Sequence, residues 1–235
     1  MLRALMAPAG YPKISRLRGA ALLACVAGAA LAGGCAGART AAEAPAGLSL
    51  AGTWRLDPQA SDDPQKALAK LRAEAQKIIN RALEQRGESP PPEPPPGSEA
   101  QGRPPRRDPL AHSSAAHIIH EVIERGELLV IRQTPDEIVF DYGTSRRTFT
   151  PGARSVVSTE GGVGDQRSGW NNRGYLIVVR AQMGPEVTDS YQLEAGGKRL
   201  IEQLHIGPYE LPAVDLRRVY TLSSASAPRT LPTTD

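Results

Sequence analysis

Three charged residues near the C-terminus interrupt apolar strand patterns: Asp189, Glu202 and Arg218. Each has an apolar or aromatic residue two positions before it and two positions after it: Val187 and Tyr191, Leu200 and Leu204, Leu216 and Tyr220. Since alternate side chains of a strand point to one face, the three charges should point inward with these neighbours. An unpaired buried charge is costly, so they need one another, water or a ligand.

This pattern allows three arrangements. An interior cluster of Asp189, Glu202 and Arg218 in a cavity would orient the polar head group of a ligand, as convergent polar groups do in apolar pockets. Alternatively, the three residues form an interior salt bridge with no ligand. A half-open sheet would instead leave the charges in contact with water.

Other polar groups give weaker signals for chemistry. His117, His120 and Glu121 would share one side of a helix, but zinc usually takes three or four protein ligands, and nothing in the sequence brings His112 or His205 close. The glycines at 161–164 lack the phosphate-loop pattern, and no nucleophile–base set is visible. We therefore expect no metal, no cofactor and no catalytic residues. Arg146 and Arg147 are interpreted as a solvated strand face.

The surrounding elements are predicted from periodicity and turn residues. Alternating apolar residues over 48–56 indicate a strand, and Asp63 with Pro64 starts a helix of about 63–87 whose apolar stripe includes Ile78 and Ile79. A disordered Pro-rich loop of about 88–112 follows. Nine strand candidates then lie between turn residues: 127–134, 137–142, 146–150, 155–159, 166–171, 175–182, 187–194, 199–206 and 214–222.

This order predicts a mainly β fold, in which an antiparallel meander forms a barrel or half-barrel with an N-terminal helical excursion. The single β-rich domain should span residues 47–222. A flexible tether at 35–46 and a disordered tail at 223–235 should flank it.

The N-terminus contains a basic region, an apolar stretch from Gly19 to Ala32, and Leu31-Ala32-Gly33-Gly34-Cys35. It resembles the signal peptide and lipobox of bacterial lipoproteins, with residues 1–34 removed and Cys35 acylated. The usual pattern has leucine three positions before the cysteine, where this chain has Ala32. Cys25 also fits the local pattern, although its apolar stretch would be short. An ordinary secretory signal cut after Ala32 is a further alternative.

Cleavage at Cys35 would change the charge of the chain. The full sequence has 28 basic and 25 acidic residues. The leader takes away four basic and no acidic residues, so 24 and 25 remain, a net charge of about −1. This balance argues against nucleic acid as a partner. Cys25 would leave with the leader, so no free thiol would remain.

Gly52-Thr53-Trp54 resembles the G-x-W signature on the first strand of lipocalins and related calycin-like barrels. In that family the tryptophan closes one end of the barrel and an arginine of the last strand packs across it, a position that Arg218 or Arg217 would take. The resemblance implies a pocket for a small, often apolar, ligand. The other interpretation of Trp54 is an ordinary core residue.

We therefore predict a non-enzymatic, lipid-anchored protein of the cell envelope that binds a small amphipathic or apolar ligand, with Trp54, Asp189, Glu202 and Arg218 as candidate ligand-binding residues. Ala36 after the cysteine implies, by the lipoprotein resemblance and for a Gram-negative host, the outer membrane facing the periplasm. The alternative is a scaffold that contacts other envelope proteins through its sheet surface and Pro-rich loop.

Overall fold

The computed structural model describes residues 40–88 and 108–225, and all of them belong to one unit that begins at Arg39. The predicted signal peptide, Cys35 and the first part of the tether lie outside the described residues. So do residues 89–107 of the Pro-rich loop and residues 226–235 of the tail.

The described residues form ten strands and two helices. In chain order they are β1 (Gly52–Leu56), α1 (Pro64–Gln85), α2 (Ser114–Glu124), β2 (Leu128–Gln133), β3 (Ile138–Asp141), β4 (Arg146–Phe149), β5 (Arg154–Thr159), β6 (Gly162–Trp170), β7 (Gly174–Ala181), β8 (Glu186–Leu193), β9 (Arg199–Ile206) and β10 (Val214–Ser224). Nearly every predicted strand agrees to within two residues. β1 and β6 are the exceptions, because β1 begins four residues later than predicted, at Gly52, and β6 begins four residues earlier, at Gly162.

All ten strands belong to one antiparallel sheet. Its order is β4-β3-β2-β1-β10-β9-β8-β7-β6-β5, so the first strand pairs with the last and the helices bridge β1 and β2. β4 and β5 form the two edges and do not pair with each other. The predicted mainly β half-barrel is thereby confirmed.

The sheet curls until opposite strands share one core. Phe140 of β3 lies against Tyr191 of β8, with ring centroids 4.2 Å apart. Phe149 of β4 and Tyr175 of β7 are 6.3 Å apart. Offset and tilted pairs of this kind add to the free energy gained by burying the rings. The inner faces of β3 and β4 therefore pack on those of β7 and β8.

Both helices begin with side-chain caps. Asp63 accepts a hydrogen bond from the Gln65 backbone N–H at 2.9 Å, with Pro64 in the first turn, and Ser113 accepts from Ala116 N–H at 3.3 Å. Such caps satisfy N–H groups that have no partner within the helix. The two helices pack together and cover one end of the sheet; their shared cluster includes Leu71 and Ile119.

The apolar stripe predicted on α1 is only partly buried. Leu68, Leu71 and Ala75 enter the core, whereas Ile78 and Ile79 are 44% and 40% exposed. A 22-residue helix is about 33 Å long, so its second half continues beyond the packed region. The apolar stripe predicted from the sequence therefore extends beyond the buried part of the helix. No helix in the described part of the chain combines the length and hydropathy needed to cross a membrane.

The described part of the predicted tether lies against the domain. Ala41 and Trp170 exchange two backbone hydrogen bonds of 2.7 and 2.9 Å, and Ala44 packs on the main core cluster. From Thr40 onward the segment is thus ordered along the end of β6, rather than extending freely to residue 46.

Candidate functional site

The half-barrel interior is divided into an apolar end and a polar middle. Trp54, Trp170 and Tyr175 belong to a cluster of buried aromatic and aliphatic side chains at the apolar end. The indole N–H of Trp54 donates to the Leu50 carbonyl at 2.9 Å, so this residue is both packed and satisfied. Trp54 contributes to the core and does not line the cleft described below.

A buried charge cluster fills the middle of the half-barrel, next to the aromatic residues. It consists of three arginines and two carboxylates, joined by three tyrosines: Arg125, Arg147, Arg218, Asp189, Glu202, Tyr142, Tyr191 and Tyr220. With both carboxylates ionised, the cluster carries one more positive than negative charge.

Glu202 is the most highly connected member of this buried charge cluster. Arg125, from the loop after α2, forms an ion pair with its Oε1. Its Oε2 accepts a hydrogen bond from the Tyr220 hydroxyl at 2.7 Å and lies 3.9 Å from Nη1 of Arg218. Burial alone would raise the pKa of Glu202, but Arg125 and Arg218 overcome that effect and lower it. Glu202 is thus held in its ionised form.

Asp189 is in a less favourable position. Its Oδ2 accepts from Arg147 at 2.7 Å and from the Tyr191 hydroxyl at 2.9 Å, but its buried Oδ1 has no hydrogen-bond partner among the described residues. Burial and the neighbouring charge of Glu202 raise the pKa of Asp189 more than Arg147 lowers it. This oxygen is also out of reach of solvent, so ionisation of Asp189 leaves it buried and unsatisfied.

An open cleft of about 440 Å³ lies beside the buried charge cluster, between α2 and the inner faces of β5 to β8. Its apolar wall comprises Ile118, Val157, Val179, Ala181, Val187 and Leu204. Arg125, Arg147 and Asp189 form its charged end. The space thus combines an apolar surface with a few polar groups, as small-molecule sites do.

His117 lies at the mouth of the cleft. Its Nε2 is 3.5 Å from Glu121 on the same helix and 3.4 Å from Glu160, which joins β5 to β6. The described residues contain no group of three or more His, Cys, Asp and Glu that could hold a metal. His117 therefore links α2 to the β5–β6 turn. Ser114 also lines the cleft, but no hydrogen bond joins it to His117 in the part of the chain that the structure describes.

The structure buries Asp189, Glu202 and Arg218, as alternation indicated, but does not join them into one triad. Arg218 approaches only Glu202, and its guanidinium lies over the ring of Tyr220 rather than over Trp54. Asp189 is the one residue of the four candidates that lines the cleft.

Two arginines of the site were not predicted. The interpretation of Arg147 as a solvated residue is wrong, because it enters the interior while Arg146 pairs with Asp141 on the other face. Phe149 two positions later is buried on the same strand face, and this alternation could have placed Arg147 inside. Arg125 lies outside any strand, so no periodicity marks it.

No protein-family model and no curated protein sequence matches the chain. Solved structures with a related shape include lipid binding protein 8 of Caenorhabditis elegans, with 12% identity and a TM-score of 0.44, covering 76% of this chain and 100% of that one. A fatty acid-binding protein from the brain of Drosophila melanogaster has 13% identity and a TM-score of 0.38, covering 74% and 99%. A luciferase domain of the dinoflagellate Lingulodinium polyedrum has 13% identity and a TM-score of 0.36, covering 80% and 48%. At these values, the likeness does not establish a ligand or an activity for this chain.

Proposed function

We propose that this chain binds a small amphipathic ligand in the cleft between α2 and the inner faces of β5 to β8. The observation that carries the proposal is a cleft of about 440 Å³ with an apolar wall and a buried charged end. Small-molecule sites usually measure about 300–1,000 Å³ and have the same division into apolar lining and a few polar groups. An apolar chain of the ligand would lie along Val179, Val187 and Leu204.

The polar end of the ligand would meet Asp189 and Arg147. Arg147 is partly exposed at this end, and its guanidinium can donate to an acceptor on the ligand. Asp189 lies beside it and accepts from Arg147 through Oδ2 at 2.7 Å, which holds the guanidinium in place. This supports a ligand with a polar group at one end.

We further propose that the chain binds its ligand without catalysing a reaction. The carboxylates of the buried charge cluster are committed to arginines and tyrosines, and His117 faces Glu121 and Glu160 rather than a hydroxyl group. General acid–base or nucleophilic catalysis needs such a pair within hydrogen-bond reach.

The proposed location is the cell envelope, with the domain tethered through an acylated Cys35 to the outer membrane and facing the periplasm. The support is the sequence of the leader and Ala36 after the cysteine. Labelling with a palmitate analogue that is lost in Cys35→Ser tests it, and unchanged labelling would contradict it. The scaffold alternative depends on the Pro-rich loop, much of which lies outside the described residues, and it stays a prediction.

Fluorescence titration with 1-anilinonaphthalene-8-sulfonate, a small amphipathic probe, tests ligand binding. Ala181→Trp would fill the cleft, and Gln182→Trp, one residue later on the opposite side of the chain, is the matched control. We expect Ala181→Trp to bind the probe at least about tenfold more weakly than the parent, a difference of about 1.4 kcal/mol in binding free energy. The control variant should bind the probe with the affinity of the parent. If both variants bound the probe with equal affinity, the probe would bind outside the cleft and the proposal would be contradicted.

A further inference from the structure

The outer face of the β5–β6 hairpin carries apolar side chains that nothing in the described part of the chain covers. Val156 is 71% exposed, Val163 is also exposed, and Met183 beside the hairpin tip is 68% exposed. Val157 and Thr159 line the cleft, so alternation places Arg154 and Val156 on the outside. Arg154, Val156 and Val163 therefore share the outer face at this edge of the sheet, and Met183 is exposed beside the tip of the same hairpin.

The same surface has two arginines that form no salt bridge with any described residue. Arg154 stands directly opposite Arg167 in the β5–β6 ladder, a like-charge pair that destabilises a sheet. The Nε of Arg167 is also buried without a partner. Arg154 and Arg167 are therefore free to pair with an anion that the described residues do not supply.

Two carboxylates lie nearby and do not supply it. Glu186 pairs with Arg180 at 2.5 Å, and Asp165 stands opposite Arg180 on the neighbouring strand. Asp165 forms no ion pair with either Arg154 or Arg167 among the described residues. We call the surface formed by Arg154, Val156, Val163, Arg167 and the neighbouring Met183 the outer basic face. Asp165, directly opposite Val156, lies on the same side, so the two arginines and this carboxylate leave a net charge of about +1 next to the exposed apolar groups.

The position of the outer basic face agrees with a tethered domain. Ala41 pairs with Trp170 at the end of β6, the strand that also carries Val163 and Arg167. Thr40 is five residues from Cys35 in sequence, and five residues span at most about 18 Å. If Cys35 is acylated, as the proposed function holds, the end of β6 must lie near the bilayer.

We propose that the outer basic face lies against an anionic lipid bilayer, with Arg154 and Arg167 at the phosphate groups and Val156, Val163 and Met183 in the interface. A bilayer satisfies both features at once, because anionic head groups pair with arginine and the head-group boundary accepts apolar side chains.

A fluorescent label on the outer basic face tests this contact without requiring acylation or ligand binding. The full chain with Cys25→Ser and Cys35→Ser takes Gln182→Cys for an NBD label next to Val163, and Gln203→Cys as control. Gln203 is an exposed residue of β9, away from the β5–β6 hairpin. With vesicles containing phosphatidylglycerol, we expect a blue shift and brighter emission at position 182 only. Vesicles of phosphatidylcholine alone should give little change.

Charge variants complete the test. Arg154→Gln with Arg167→Gln should lower the partitioning reported at position 182 by about 30-fold, given the usual gain per basic residue near an anionic surface. Arg81→Gln with Arg86→Gln removes the same charge from α1 and its C-cap and should have little effect. Equal responses at positions 182 and 203, or an unchanged double variant on β5 and β6, would overturn the proposal. A response at position 182 that follows protein concentration without vesicles would instead identify an interface between copies. The probe titration of Ala181→Trp is independent of all these outcomes.

Discussion

Replacing Glu202 by glutamine removes the charge on which the buried charge cluster depends and changes the side-chain shape very little. Arg125 and Arg218 would then stay buried with only the more distant Asp189 as counter-charge. Removing one partner of a buried ion pair costs about 3–5 kcal/mol. Glutamine can still accept one hydrogen bond, so we expect about 3 kcal/mol. For a domain of this size, the midpoint of thermal unfolding should fall by about 6–12 °C.

Asp189→Asn should behave differently, although Asp189 is equally buried. The pKa of Asp189 is raised, which means that the fold already disfavours its ionised form. Loss of that charge should therefore cost about 1 kcal/mol or less.

Urea unfolding followed by circular dichroism compares the two variants, provided that the slope of the unfolding free energy against urea concentration is the same in both. Glu194→Gln is the matched control, because Glu194 also pairs with two arginines but is partly exposed, and such pairs contribute about 0–1 kcal/mol. If Asp189→Asn lost as much stability as Glu202→Gln, or Glu202→Gln no more than the control, the assignment of Glu202 as the ionised centre would be refuted.

Four further predictions follow from protonation and from close packing. The pKa of Glu202 is lowered, so its contribution to stability is present above about pH 4.5 and is lost as the pH falls through its folded value; urea midpoints measured against pH should fall less in Glu202→Gln. For Asp189 the sign is opposite: its raised pKa removes stability as the pH rises from about 3.8 through the folded value, and Asp189→Asn should abolish that loss. Burial raises the pKa of Tyr175 to about 12 and that of Tyr191 well above its usual value, so stability is lost as the pH rises from about 10. Because Tyr209 is 53% exposed, the quantity to measure is the difference in tyrosinate absorbance between the parent and Tyr175→Phe or Tyr191→Phe. That difference should appear only with the loss of circular dichroism, and its appearance in the folded chain would contradict the burial of these residues. Gly174→Ala would place a methyl group 1.8 Å from the Tyr191 carbonyl oxygen, so we expect a loss of about 1–3 kcal/mol in urea unfolding, and unchanged stability would contradict the β7–β8 geometry.

Alternation and turn residues were sufficient to predict most of the fold. They gave the strands, their antiparallel order along the meander and the inward direction of Asp189, Glu202 and Arg218. They could not give the start of β6, because the glycines at 161–164 resemble a turn yet extend the strand.

Which inner faces meet across the half-barrel was not available from the sequence. Periodicity assigns a side chain to one face of a strand, but the ion pair of Arg147 with Asp189 depends on β4 curling over β8. Arg125 is 77 residues from Glu202 and lies between elements, where no period applies. Similarly, the stripe on α1 shows which side of the helix is apolar but not where the sheet beneath it ends.

Binding in the cleft is the central claim, and methyl NMR of the full chain with 1-anilinonaphthalene-8-sulfonate tests it most directly. We predict that signals of Val157, Val179 and Val187 shift on titration, while those of Leu129 and Leu200 in the apolar core do not. In Ala181→Trp the shifts of the cleft signals should disappear. Shifts confined to Ile78 and Ile79 on α1, with the cleft signals unchanged, would contradict the account.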